Sequence, residues 1–128
     1  MKQSRELRIF IVEDNLIYQQ LIAKELEPIS ADVHFFTRGE SCVEALELNP
    51  AIVVLDFNLA GSMNGLDTLK SIRSFNPSIY ALLFSNQEGL NSPENFSAYG
   101  SFDFIEKKET TFCRLREKIT SSALAFQA

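Results

Sequence analysis

The chain has 128 residues, 45% of them hydrophobic and 23% charged, with a net charge of −5. That length suits one domain, and area scaling buries roughly two-thirds of its surface on folding, enough for a core without staples. The composition excludes a disordered chain, and the negative charge argues against a nucleic-acid or anionic-membrane footprint. No apolar run approaches the roughly 20 residues that cross a bilayer. The start offers only Leu7 and the run 9–12 before two acids, too short for a signal peptide. Cys42 and Cys113 are far apart and form no CxxC pair. Two buried thiols in a reducing cytoplasm is the expectation.

In chain order, residues 7–12 form an apolar run that reads as a strand. Residues 15–27 have helical spacing, with Ile17, Leu21, Ile22 and Leu26 on one side and Pro28 as the stop. The next run, 33–36, holds His34 and looks like a sheet edge. Segment 39–48 carries Cys42, Val43, Ala45 and Leu46 at helical spacing and ends at Asn49-Pro50. Residues 51–55 are apolar at consecutive positions, the pattern of a strand covered on both faces. A helix over 65–75, with Leu66, Leu69 and Ile72, ends at Asn76-Pro77. Residues 79–84 form the fourth strand. Segment 86–99 is a poor helix, interrupted by Gly89, Asn91 and Pro93; it predicts a loop to about Asn91 and a short helix from Pro93, capped by Ser92. The last strand is 102–105, and a helix over 110–126 places Phe112, Leu115, Ile119 and Ala123 three and four apart. Strand and helix therefore alternate. Right-handed crossovers and short connections predict a doubly wound α/β domain. Its sheet has five parallel strands in the order 2-1-3-4-5 with helices on both faces, flavodoxin-like, and 1–128 reads as a single domain.

Such folds bind ligands outside the carboxyl ends of the strands, where strand order reverses. The residues leaving those ends are Glu13 and Asp14, Asp56, Ser85 and Lys107. Three clustered carboxylates raise one another's pKa unless something neutralises them. A hard divalent cation does this best, and a few carboxylates with several waters describe Mg²⁺. Metal, lysine and a hydroxyl donor together suit the oxygens of a phosphoryl group, with a carboxylate as its acceptor. Taken singly, polar residues at such strand ends read as helix caps, Asp14 or Asn15 for the first helix. His34 has no His or Cys partner and reads as structural.

The sequence resembles a response-regulator receiver domain of two-component signalling over essentially its whole length. The residues that carry the likeness are Val12-Glu13-Asp14-Asn15, Val54-Leu55-Asp56-Phe57-Asn58-Leu59, Asn64-Gly65, Ser85 and Phe104-Ile105-Glu106-Lys107. The resemblance implies that Asp56 accepts the phosphoryl group. It implies that Asp14 ligates Mg²⁺ directly, that Glu13 helps directly or through water, and that Asp56 and the backbone carbonyl of Asn58 complete the metal site. Ser85 and Lys107 would each bind a phosphoryl oxygen, and Phe104 matches the aromatic switch position. Asn58 and Gln87 match positions that tune phosphoryl lifetime, and Asn86 stands where the family usually has Ala or Gly, restricting access.

The implied partners are a sensor histidine kinase or phosphotransfer protein and a downstream protein target, with no direct nucleic acid and no membrane. A phosphorylation-dependent dimer is compatible with this, and the expected location is cytoplasmic. The protein would be a switch rather than an enzyme. Two alternatives stand beside it: a degenerate receiver that binds partners without phosphorylation, and a hydrolase with an aspartyl-phosphate intermediate. The latter lacks the expected second acid, since Asn58 follows Asp56-Phe57. Other departures are a segment from Asp56 to Gly65 one residue longer than the commonest spacing, and Lys108 where the family usually has a cis proline. A cis bond before a non-proline residue costs roughly 3–4 kcal/mol, so that loop either changes shape or stores strain.

Overall fold

The structure is a computed structural model, and it describes residues 7–56, 63–85, 102–108 and 111–127. Five strands form one all-parallel sheet: β1 (Arg8–Val12), β2 (Asp32–Phe36), β3 (Ile52–Leu55), β4 (Tyr80–Ser85) and β5 (Phe102–Glu106). Their order is β2-β1-β3-β4-β5, so β2 is an edge, as its His34 suggested. The register aligns the carboxyl ends: Val12 pairs with both Phe36 and Leu55, Leu55 with Leu83, and Ser85 with Glu106. The expected doubly wound, flavodoxin-like architecture is present.

The consecutive apolar runs are buried on both faces because side chains alternate between two separate cores. Ile9, Ile11, Ile52, Val54, Leu82, Phe84 and Ile105 pack under α1 (Leu16–Leu26) and α4 (Phe112–Gln127). Phe10, Val12, Val53, Leu55, Ala81 and Leu83 pack under α2 (Gly39–Glu44) and α3 (Gly65–Phe75). The caps follow local chemistry. Asn15 accepts the Ile17 and Tyr18 N–H groups at 2.9 and 3.1 Å, so Asn15 rather than Asp14 caps α1. Asn64 and Asp67 form a capping box on α3.

Several expectations are corrected. Ile17 and Leu21 are not on the buried side of α1: they are exposed, while Ile22 and Leu26 are buried. At about 100° per residue, 17 and 21 lie a quarter-turn from 18 and 22, and only the latter side faces the sheet. Segment 39–48 is not one helix. It breaks at Ala45 into α2 and a 3₁₀ turn, Leu46–Leu48, ended by Asn49 in the left-handed region at φ 61°. Asparagine tolerates that conformation, and the following Pro50 disfavours a right-handed helical one. Cys42 is buried but Cys113 is exposed, because Phe112, Leu115 and Ile119 take the inner face of α4. Gly39 is required where α2 meets α3: a Cβ there would lie 2.1 Å from Thr68 Oγ1, which donates to Asn64 O at 2.8 Å. The broken segment 86–99 and the loop 57–62 fall outside the described residues. Among the described residues no helix is long and apolar enough to cross a membrane.

Candidate functional site

The parallel register delivers the acids to one place. β1 and β3 pair through Val12 and Leu55, so Glu13 and Asp56 leave adjacent strands at the same level. Backbone bonds hold both exits, with Asp56 N–H donating to Val12 O at 3.0 Å and Glu13 N–H to Phe36 O at 2.9 Å. One carboxylate oxygen from each of Glu13, Asp14 and Asp56 lies within 4.8 Å of the others. Lys107, one residue past β5, reaches across β4: its Nζ donates to Glu13 Oε1 at 2.6 Å and to Asp56 Oδ2 at 3.1 Å. Glu13 is tied down further, since Oε2 accepts the Asn15 N–H at 3.1 Å and its carbonyl accepts Gln19 Nε2 at 2.7 Å.

Three of these groups are almost dry, with side-chain exposures of 2% for Glu13, 5% for Asp56 and 3% for Lys107, while Asp14 is more exposed. Burial pushes the Glu13 carboxyl up to about 7, against the hydrogen bond from Lys107, and the Asp56 charge adds to the rise. Burial also opposes the Lys107 ammonium, but the Glu13 hydrogen bond and the Asp56 charge outweigh it and hold Lys107 above its ordinary value. Lys107 is bonded to two of the three acids. Three carboxylates converging within reach of one another offer hard oxygen donors of the kind that suit a partly hydrated Mg²⁺.

Four expected site residues, Glu13, Asp14, Asp56 and Lys107, are thus brought together. Ser85 closes β4 opposite Glu106, at the same edge of the sheet. Phe104 is half-buried in β5 and packs against the core under α2 and α3. Asn58, Asn86 and Gln87 lie outside the described residues.

The family model of the response regulator receiver domain matches residues 9–120. The chain belongs to that family. It is a receiver domain of two-component signalling. Its relatives include protein-glutamate methylesterase/protein-glutamine glutaminase of Clostridium acetobutylicum, 29% identical over 114 residues, covering 84% of this chain and 32% of that protein. A protein of Paramagnetospirillum magneticum with the same description, numbered 2, is 32% identical over 111 residues, covering 80% of this chain and 30% of its own length. The chain therefore spans about a third of the length of these curated relatives. In fold it is similar to the response regulator domain of Thermotoga maritima CheB, with a TM-score of 0.76 at 23% identity, covering 97% of this chain and 98% of that one.

In this receiver domain the Lys107-Lys108 peptide is trans, with no cis bond among the described residues. Thr111 braces the chain beside it. Its hydroxyl accepts the Lys108 N–H at 3.0 Å and lies 2.6 Å from Glu106 O and 2.9 Å from Lys108 O, donating its single proton to one of these carbonyls. The Thr111 N–H also donates to Lys108 O at 3.1 Å. One threonine thereby ties the chain on both sides of Lys107. Reading 111 as the interior of a helix hid this, although threonine at a helix start is a turn signal. Tyr18 was missed as well: its ring lies beside the Lys107 ammonium, 4.4 Å from nitrogen to centroid.

Proposed function

We propose that Asp56 accepts a phosphoryl group from a sensor histidine kinase or phosphotransfer protein, and that the resulting change of surface is read by a downstream protein target. The observation that carries this reading is the Lys107 ammonium bonded to Glu13 and Asp56, with Asp14 closing the acidic cluster. In the transfer, an Asp56 carboxylate oxygen forms a bond to phosphorus while the phosphorus–nitrogen bond of a phosphohistidine breaks. The imidazole leaves neutral, its other nitrogen carrying the proton. Glu13, Asp14, Asp56 and the Asn58 carbonyl would hold Mg²⁺, which offsets charge on the transferring group. Lys107 and Ser85 supply donors to its oxygens. The Asn15 N–H on its carboxylate and the Gln19 amide on its backbone carbonyl fix Glu13 at the edge of this cluster.

By resemblance to the family we further propose that Asn58, Asn86 and Gln87 set water access and so phosphoryl lifetime, and that Phe104 is the aromatic through which occupancy reaches the outer surface.

The test is intact-mass measurement after treatment of the full chain with a small phosphodonor. One added phosphoryl group is expected with Mg²⁺, almost none with chelator, and none in Asp56→Asn. Equal modification of Asp56→Asn would overturn the assignment. Failure of the native chain to take up phosphoryl would favour a phosphorylation-independent binding module, and turnover of phosphate esters would favour a hydrolase.

A further inference from the structure

Lys107 has two ring contacts besides its two carboxylates. Its ammonium nitrogen lies 4.4 Å from the centroid of the Tyr18 ring and 5.8 Å from that of Phe84. Tyr18 is itself stacked on Phe112, with centroids 6.0 Å apart and planes inclined by 22°. Phe112 meets Phe84 edge-on at 5.1 Å. Rings from α1, β4 and α4 therefore form one connected aromatic group, and the lysine that phosphoryl chemistry depends on rests against it.

An ammonium within about 6 Å of a ring centroid is attracted by the ring's quadrupole, roughly a two- to thirtyfold effect on an equilibrium, largest where water is absent. The site is dry, with the Lys107 side chain 3% exposed. A ring also differs from a carboxylate in what it does next. A cation that neutralises Glu13 and Asp56 weakens their hold on the ammonium, and a phosphoryl group must then attract it. A carboxylate would compete for it with full charge; the ring attracts without repelling the incoming anion. We propose that Tyr18 is a positioning residue for Lys107, holding the ammonium at the phosphoryl site while its carboxylate partners are exchanged for a phosphoryl oxygen. This deepens the reading of Asp56 as phosphoryl acceptor and rests on it.

The side chain also packs against the core under α1 and α4, so the test must separate ring from bulk. Tyr18→Leu keeps apolar volume without a ring, and Tyr18→Phe restores the ring. With Mg²⁺ and acetyl phosphate, Tyr18→Leu should be phosphorylated about three- to tenfold more slowly at unchanged Mg²⁺ affinity, and Tyr18→Phe should recover that rate. The Lys107 methylene protons should show an upfield ring-current shift that is lost only in Tyr18→Leu. Should Tyr18→Leu not fold, fluorinated phenylalanines at position 18 vary the quadrupole at nearly constant shape, and the rate should fall stepwise with fluorine number. A rate in Tyr18→Leu equal to wild type, equal slowing in Leu and Phe variants, or a rate indifferent to fluorination overturns the proposal alone. A wild-type chain that takes up no phosphoryl group overturns the reading of Asp56, and this proposal with it.

Discussion

Two ionic clusters sit at opposite ends of the same sheet, made of similar groups and shifted in opposite directions. At the amino ends of β1 and β2, Asp32 Oδ2 accepts from Arg8 Nε at 2.9 Å and lies 3.0 Å from His34 Nε2, each side chain about one-third exposed. Beyond the carboxyl ends, Lys107 bonds Glu13 and Asp56 at 2.6 and 3.1 Å in an almost dry site. The His34 hydrogen bond, then that of Arg8, holds Asp32 below its ordinary value; burial, outweighing the lysine, raises Glu13 to about 7. Water decides the sign. Where it reaches the acid, a nearby base only has to favour the anion. Where it does not, the cost of burying the anion outweighs even a hydrogen-bonded ammonium. The part-exposed cluster lies at a sheet edge; the buried one joins one base to two acids beyond the carboxyl ends of the strands.

The largest test of that contrast is Lys107→Met. Removing the ammonium leaves Glu13 and Asp56 buried without it, and stability without metal should drop by about 3–5 kcal/mol. Urea unfolding with and without Mg²⁺ measures this, and the ion should restore much of the loss. A drop no greater than that of a surface substitution would show that water reaches these carboxylates after all.

A smaller effect is expected from pH. Glu13 has its folded pKa raised from 4.5 to about 7. Between those values the folded state binds more protons than the unfolded state, so this group's contribution to stability is fully present below pH 4.5 and is lost as pH rises through 7. Without metal, the fall across that window should be roughly 1–3 kcal/mol. Mg²⁺ favours the ionised carboxylate, so its affinity should rise over the same range. Chemical denaturation at a series of pH values, repeated with Glu13→Gln, isolates the contribution; a wild-type slope that survives the substitution belongs to another group.

The smallest change should come from Asp32→Asn. This pair is solvated, so its thermal unfolding should shift only slightly and the shift should shrink further as salt is added. A loss comparable to that of Lys107→Met would mean that burial is not what separates the two clusters.

Much of the fold was legible because its signals are local or periodic. The run 52–55 is apolar without alternation and too short for a helix, the mark of a strand covered on both faces, and Asn76-Pro77 ends a helix by backbone sterics. Strand order follows from short right-handed crossovers, so the sequence also placed Glu13, Asp14, Asp56 and Lys107 at one edge of the sheet. Local pattern went wrong where two answers had similar local cost. Ile17 and Leu21 are as apolar as Ile22 and Leu26, and nothing within the helix says which pair meets the sheet. Cys113 was read as buried, although its neighbours Phe112 and Leu115 occupy the inner face of α4.

By itself, then, the amino-acid sequence determined the five strands, their order and which charged groups leave the strand ends. Backbone sterics, hydrophobic period and chain connectivity are all written along the chain. Tertiary structure alone decided how those groups meet. Lys107 is 94 residues from Glu13, yet its ammonium lies 2.6 Å from that carboxylate. Only packing makes the meeting dry enough to push Glu13 upward, and only packing brings the Tyr18 ring to the same ammonium. Desolvation and ring contacts depend on what every other element excludes or presents at one point, a property that no local stretch of sequence carries.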